Sequence, residues 1–262
     1  MYAFDIERPT TLADAVIALK KEDAQPLSSG QTLIPTLKQR LAAPSKLVSL
    51  TGILDMYEIA SDAGTLRIGG ATTHATVAAN TANTYPALAN LASHIGDPAV
   101  RNRGTTGGSI ANNDPSACYP AAALASGATI ITNTCEIMAD DYFQGMFTTA
   151  LGDSEIVTAI LMPVPEKANY QKFVQPASRF ALVGVFVAKF VDYVRVAVTG
   201  ASNEGVYRWA EAEEALSINF SAAAISGLTV SADNLISDLH GSPAYRAHLV
   251  KVMTGRAVIA ST

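Results

Sequence analysis

The sequence predicts a chain of the α+β class, with a mixed early part and a separate sheet-plus-helices unit beyond about residue 176. Three observations predict it. Apolar residues recur at helical spacing in "TTLADAVIALKK" (10–21) and in the tail "SPAYRAHLVKVMTGRAVIA" (242–260). Short apolar pulses of strand character, "KLVSL" (46–50), "LRIGG" (66–70) and "EIVTAILMPVP" (155–165), stand between turn-rich stretches. After "QPAS" (175–178) the character changes: "FALVGVFVAKF" and "YVRVAVTGA", separated by Val191 and Asp192, read as a hairpin.

Taken in order, Leu12, Val16 and Leu19 share one face of a first helix that follows a threonine cap and has Asp14 in its first turn. "AQPLSSGQT" (24–32) breaks it. A second helix is expected over "TLIPTLKQRL" (32–41), where Pro35 fits the first turn because its missing donor does no harm there. The strands "KLVSL" and "LRIGG" are parted by the turn signal "SDAG". Helices follow over "TTHATVAAN" (72–80) and "PALANLASHI" (86–95). "RNRGTTGGSIANND" (101–114) has too much glycine for a stable helix and too little apolar content for a buried strand, so it reads as a loop that presents its backbone. The apolar "PAAALASGATIIT" (120–132), the aromatic "DDYFQGMF" (140–147) and the proline-closed strand at 155–165 complete the early part.

A length of 262 residues with 49% hydrophobic content allows a sizeable core. The net charge of −5 argues against a phosphate-backbone partner, so no nucleic acid is expected. No apolar run approaches the roughly 18 residues of a bilayer span, so no transmembrane segment is expected. Cys118 and Cys135 are too few for a disulfide framework or a four-thiolate site, and His74, His94, His240 and His248 are scattered without a His-Glu-x-x-His pattern. No metal site is expected on this chain, and the four histidines read as structural or surface residues.

The glycine-rich stretches are where chemistry is expected. Glycine permits left-handed geometry and close approach, so "GTTGGS" (104–109) can turn backbone amides toward one anion. "PLSSGQTLI" (26–34) is a second candidate, with Thr32 as a cap whose helix presents its first amides. Two such loops suit a pyrophosphate. Neither a G-x-G-x-x-G turn after a first strand nor a G-K-[ST] loop is present, which points away from the Rossmann and P-loop solutions.

The ordered set "PLSSGQTLIPTLKQRLAAPSKLVSL", "IGGATTHATVA", "IGDPAVRNRGTTGGSIANNDPSACYPAAAL", "ADDYFQGMF", "EIVTAILMPVP" and "YQKFVQPASRFALVGV" resembles the FAD-binding medium subunit of the molybdenum hydroxylases, the family of aerobic carbon monoxide dehydrogenase and of the flavin portion of xanthine dehydrogenase. The resemblance implies a two-subdomain FAD-binding domain of the vanillyl-alcohol-oxidase type over 1–175, split near 52/53, and a small C-terminal α+β domain over 176–262. It implies an oxidoreductase subunit whose FAD takes electrons from [2Fe–2S] clusters and passes them to an external acceptor. The molybdenum cofactor would sit on a large partner subunit and the clusters on a small one, in a dimer of heterotrimers. The expected location is the cytoplasm, with the inner face of the membrane as an option. Two alternatives stay open at this point: a self-contained flavin oxidase or reductase of the same fold group, and a scaffold subunit that has lost FAD.

The resemblance also implies site residues. Ser28, Ser29, Gly30, Gln31, Thr32 and Leu33 match one pyrophosphate loop, and Thr105, Thr106, Gly107, Gly108 and Ser109 the other, mostly through backbone donors. Ser29 stands where the family has a glycine, and a positive φ there would carry a strain that glycine avoids. Cys118 stands where the family has an acidic residue on the flavin's sugar-like chain; a thiol is a poor acceptor, so either Asn112 or Asp114 compensates or FAD is held more weakly. Ile95 and Val157 match apolar contacts, Lys172 a lysine near the isoalloxazine, and Phe180 a ring against it.

Overall fold

A computed structural model describes residues 1–261 as three consecutive parts around three apolar cores. The first contains strand β1 (Asp5–Glu7), helix α1 (Leu12–Leu19), β2 (Ala24–Leu27), α2 (Leu33–Lys38) and β3 (Lys46–Ser49), followed by a single 3-10 turn at Leu54–Met56. Its sheet runs β1-β3-β2 and is parallel, with Ile6 opposite Leu47 and Pro26 opposite Val48. Thr11 caps α1 by accepting from the Asp14 amide. Ala15, Ala18 and Leu19 are the fully buried positions of α1, whereas Leu12 and Val16 are only partly covered. Strand β2 was not expected: Pro26 sits in it on an edge, where the lost donor breaks no ladder bond.

The second part contains β4 (Ile59–Asp62), β5 (Thr65–Gly69), α3 (His74–Asn80), α4 (Pro86–Ser93), α5 (Pro98–Arg101), α6 (Thr106–Asn112), α7 (Tyr119–Ser126), β6 (Thr129–Thr132), β7 (Glu136–Met138), α8 (Ala139–Tyr142), β8 (Phe143–Gly145), β9 (Thr148–Thr149) and β10 (Val157–Pro163). The sheet order β4-β5-β10-β6-β7 brings β10 to the centre, and β8 and β9 form a separate ribbon. Helix α6 corrects the sequence expectation of a loop. Thr105 caps it by accepting from the Gly108 amide, and buried Ile110 anchors it in the core. Capping and burial outweigh the roughly 1 kcal/mol that each helical glycine costs relative to alanine.

The third part contains β11 (Lys167–Val174), β12 (Ala181–Lys189), β13 (Val194–Ser202), β14 (Gly205–Arg208), α9 (Ala210–Ile218) and the 18-residue α10 (Pro243–Ala260), with a 3-10 turn at Ala222–Ile225. Its antiparallel sheet β11-β12-β13-β14 begins at Lys167, ahead of the division expected at 175/176. One face, with Phe186 and Ala188, joins the core under α4 and α7. The other, with Val183, Val185 and Val187, is covered by α9 and α10. Burial on both faces explains why "ALVGVFVA" is continuously apolar rather than alternating. Asp140 ties the second part to the third by accepting from Arg195 at 2.6 Å and Arg208 at 3.1 Å. Among the described residues no helix is long and apolar enough to cross a membrane.

Candidate functional site

All three parts contribute to one cleft of about 760 Å³, within the usual range for a small-molecule site. Ser28, Ser29, Gly30, Gln31, Thr32 and Leu33 line it from the turn between β2 and α2. Thr105, Gly107, Gly108, Ser109 and Asn112 line it from α6, with Asp114 and Cys118 beyond. Ile95, Val157, Lys172 and Phe180 complete the expected set. Thr106 is the exception: it is wholly buried, and its amide donates to the Thr72 carbonyl at 3.0 Å.

The two glycine-bearing segments face each other, and the Ser28 and Thr105 hydroxyls share a hydrogen bond of 2.8 Å. Their backbone donors are not alike. In the first segment the amides of Ser29, Gly30, Thr32 and Leu33 have no acceptor among the described residues, and Gln31 has only a long bond of 3.4 Å to the Ser29 hydroxyl. Thr32 occupies the cap position of α2 but its side chain makes no cap bond, contrary to the expectation, so the free amides are left to a ligand. In the second segment four amides are already used: Thr106 donates to Thr72, Gly107 to the Gly70 carbonyl at 2.9 Å, Gly108 to the Thr105 hydroxyl at 3.2 Å and Ser109 to the Thr105 carbonyl at 3.0 Å, while the Thr105 amide has no acceptor among the described residues. The second segment therefore offers shape, the Thr105 hydroxyl and the Thr105 amide, since helix α6 and its contacts with Gly70 and Thr72 use its other amides.

Glycine is needed at three points within the two segments. Gly30 has φ +76, whereas Ser29 does not have a positive φ, so the serine-for-glycine departure carries no backbone strain. A Cβ on Gly107 would lie 2.6 Å from the Gly70 carbonyl oxygen, so two backbones pass in contact there. A Cβ on Gly108 would lie 2.8 Å from the Thr105 hydroxyl and 3.8 Å from Ser28 Cβ, narrowing the gap between the two segments.

His74, at the start of α3, lines the cleft and was missed by the sequence reading, which treated it as structural. An antiparallel bridge between Thr73 and Thr105 places it beside Gly104, where a Cβ would meet its Nε2 at 2.5 Å. The residue is 4% exposed and its Nδ1 has no partner. Burial holds the imidazole down at about 4, and the Arg101 charge adds to the effect. Arg101 itself donates to the Ile95 and Gly96 carbonyls at 3.1 and 3.0 Å rather than into the cleft. The signal for His74 in the sequence is only its place in "TTH"; no spacing marks it.

Cys118 is buried at the entry of α7 beside the hydroxyl of Tyr170, whose ionisation is pushed up by burial first and by the neighbouring thiol second. Asp114 accepts from the Ser116 amide through Oδ1 at 2.8 Å, leaving Oδ2 uncommitted. Lys172 donates to the His94 carbonyl at 3.1 Å. Glu155 also lines the cleft: burial pushes it upward, but hydrogen bonds from Thr132, Thr134, the Gly152 amide and Cys135 outweigh it and hold its carboxyl at about 2.

Residues 2–165 match the model of the FAD binding domain in molybdopterin dehydrogenase. The chain belongs to that family. It is 33% identical to the carbon monoxide dehydrogenase medium chain of Afipia carboxidovorans, covering 98% of this chain and 96% of that one. It is 31% identical to the nicotine 6-hydroxylase medium subunit of Paenarthrobacter nicotinovorans, covering 96% and 94%. The crystal structure of quinoline 2-oxidoreductase from Pseudomonas putida 86 matches with a TM-score of 0.88 and 28% identity, over 98% and 96% of the two chains. FAD is the cofactor of this oxidoreductase family, and the cleft fits it. Free amides and paired hydroxyls suit a diphosphate, and glycine keeps the passage between them open.

Proposed function

We propose that this FAD-binding medium subunit is the electron-transfer component of a heteromeric molybdenum hydroxylase. In this reading, electrons arrive from [2Fe–2S] clusters on a small partner subunit and leave to an external acceptor. Substrate is oxidised at the molybdenum cofactor of a large subunit, and the assembly is a dimer of heterotrimers, in the cytoplasm or at the inner face of the membrane. The carrying observation is the convergence of seventeen expected residues on one cleft that has unpartnered amides at one end and Lys172 and Phe180 among its lining. Near full-length similarity to medium chains of carbon monoxide dehydrogenase and nicotine 6-hydroxylase supports it.

The bound isoalloxazine supplies the redox chemistry. The residues of this chain bind and orient it. The Ser28–Leu33 turn donates to the diphosphate, with Ser28 and Thr105 closing the two segments over it. Asp114 Oδ2 takes the sugar-like chain in place of the acidic residue that Cys118 replaces, because a carboxylate is the stronger acceptor. Ile95 and Val157 exclude water, Lys172 favours negative charge on the ring, and Phe180 covers it. The FAD-binding domain is taken to end where the third sheet begins, near 165.

The test is FAD stoichiometry by absorbance at the flavin bands, on the chain alone and after mixing with the products of neighbouring genes. Flavin bound in either state, and bleached by substrate only with the partners present, is the expected result. Flavin bleached by substrate in the isolated chain would instead make it a self-contained oxidase or reductase, and no flavin in either state would refute the reading.

A further inference from the structure

Helix α6 leaves the second glycine-bearing segment short of donors: from Thr105 to Ser109 only the Thr105 amide is uncommitted. Its pairing with residues 72–74 shows how that amide is turned. The His74 amide donates to the Gly104 carbonyl at 2.9 Å and the Thr106 amide to the Thr72 carbonyl at 3.0 Å, so Thr73 and Thr105 form the pair between two ladder bonds. In such an antiparallel pair the N–H groups turn outward, and Thr105 presents its own away from the 72–74 segment.

His74 stands beside it. Its backbone is fixed by the ladder bond to Gly104, and its ring lies against that of buried Tyr119, with centroids 5.2 Å apart and planes tilted by 34°. The edge of the imidazole that bears Nε2 faces Gly104, where even a methyl group would meet Nε2 at 2.5 Å and Cδ2 at 2.7 Å. His74, Gly104 and Thr105 all line the cleft. Nδ1, on the other edge of the ring, is buried without a partner. Burial disfavours the charged form, so the imidazole is neutral and holds its one proton on one nitrogen. A buried N–H with no acceptor is the costlier orphan, and an unfilled lone pair the lesser one.

We propose that His74 is a ligand of the FAD diphosphate: it carries its proton on Nε2 and donates it to a phosphate oxygen beside the Thr105 amide. His74 thereby makes up for the donors that α6 consumes, and the lack of a side chain at Gly104 is what lets the imidazole edge come alongside. Arg101, the stronger choice by charge, is turned to the Ile95 and Gly96 carbonyls instead. The proposal rests on the placement of the diphosphate between the two segments and not on the electron-transfer reading.

The experiment compares His74→Gln with His74→Met in the full-length chain, with its partner subunits added if the chain alone does not retain flavin. The two replacements have nearly the same shape, but only glutamine keeps an N–H donor in the region of Nε2. Flavin fluorescence titration is expected to give a dissociation constant for FAD within about threefold of the parent for His74→Gln and about thirtyfold weaker for His74→Met. Thermal melts without FAD are expected to coincide for the two variants. A packing role alone would weaken FAD binding alike in both, so equal affinities overturn the proposal. Spectra of the parent labelled with 15N-histidine, taken without FAD near neutral pH, are expected to show the His74 proton on Nε2 and to move it downfield as FAD is added; a proton on Nδ1 overturns the proposal as well. No FAD bound by the parent in either state refutes the diphosphate placement and this proposal together.

Discussion

Replacing Thr105 by valine keeps its shape and removes one hydroxyl that serves two purposes. That hydroxyl accepts from the Gly108 amide at 3.2 Å, capping α6, and shares a 2.8 Å bond with Ser28 across the cleft. Loss of a threonine cap costs about 1 kcal/mol, and loss of a part-buried hydroxyl pair about 1 kcal/mol more. The expected destabilisation is therefore about 2 kcal/mol, or a melting point lower by roughly 4–8 °C for a chain of this size. Ser28→Ala loses only the second bond, so about 1 kcal/mol is expected from it. In the double variant the shared bond is lost once, so the effects fall short of additivity by about 1 kcal/mol. Thermal melts of the four proteins without added FAD measure the cycle, and flavin fluorescence titration measures a dissociation constant expected to rise about tenfold in Thr105→Val. An equal effect of the two single variants, or strict additivity in the double, would refute the claim that one hydroxyl links the cap to the opposite segment.

Three other outcomes follow from the same geometry. Gly107→Ala drives a methyl against the Gly70 backbone at 2.6 Å, where nothing flexible can yield, so a loss of about 3 kcal/mol in melting stability is expected. Ser29→Gly is expected to leave FAD affinity within about twofold and to lower stability by about 0.5–1 kcal/mol, because Gly30 already holds the positive φ and the added freedom is released only on unfolding; a large gain in affinity would show that Ser29 impairs the site. His74, at about 4 when folded against 6.5 when free, stays neutral in the native chain, so its contribution is complete above pH 6.5 and lost as pH falls from there to about 4. His74→Gln is expected to flatten that limb of a stability–pH curve measured without FAD; an unchanged limb would mean that other groups carry it.

Much of the fold is legible locally. Helices α1 and α10, the turn at "SDAG" and the β12–β13 hairpin at Val191 and Asp192 appear where the sequence places them, because periodicity, caps and turn residues act over a few positions, whereas the strand that pairs with β5 across that turn is β4 and not the expected "KLVSL". Helix α6 is not legible, since its glycines argue against a helix and its support comes from the Thr105 cap and the burial of Ile110. Strand β2 is hidden by Pro26, which is tolerated only because the strand is on an edge. Strand β11 carries no mark that it pairs with β12 rather than ending the preceding part.

By itself, the sequence determined the α+β class, the order of most elements, the family and the segments that meet at the cofactor, because these follow from local periodicity and from motifs read in order. Tertiary structure alone decided which amides remain free, since a donor's availability depends on what packs against it: Gly107 is silenced by Gly70, thirty-seven residues away, while Gly30 is not. It also decided that His74 lines the cleft and that Arg246, Gln175 and His240 share a second cavity. Those placements come from chain segments far apart in sequence brought together by a common core, and no local pattern of residues encodes them.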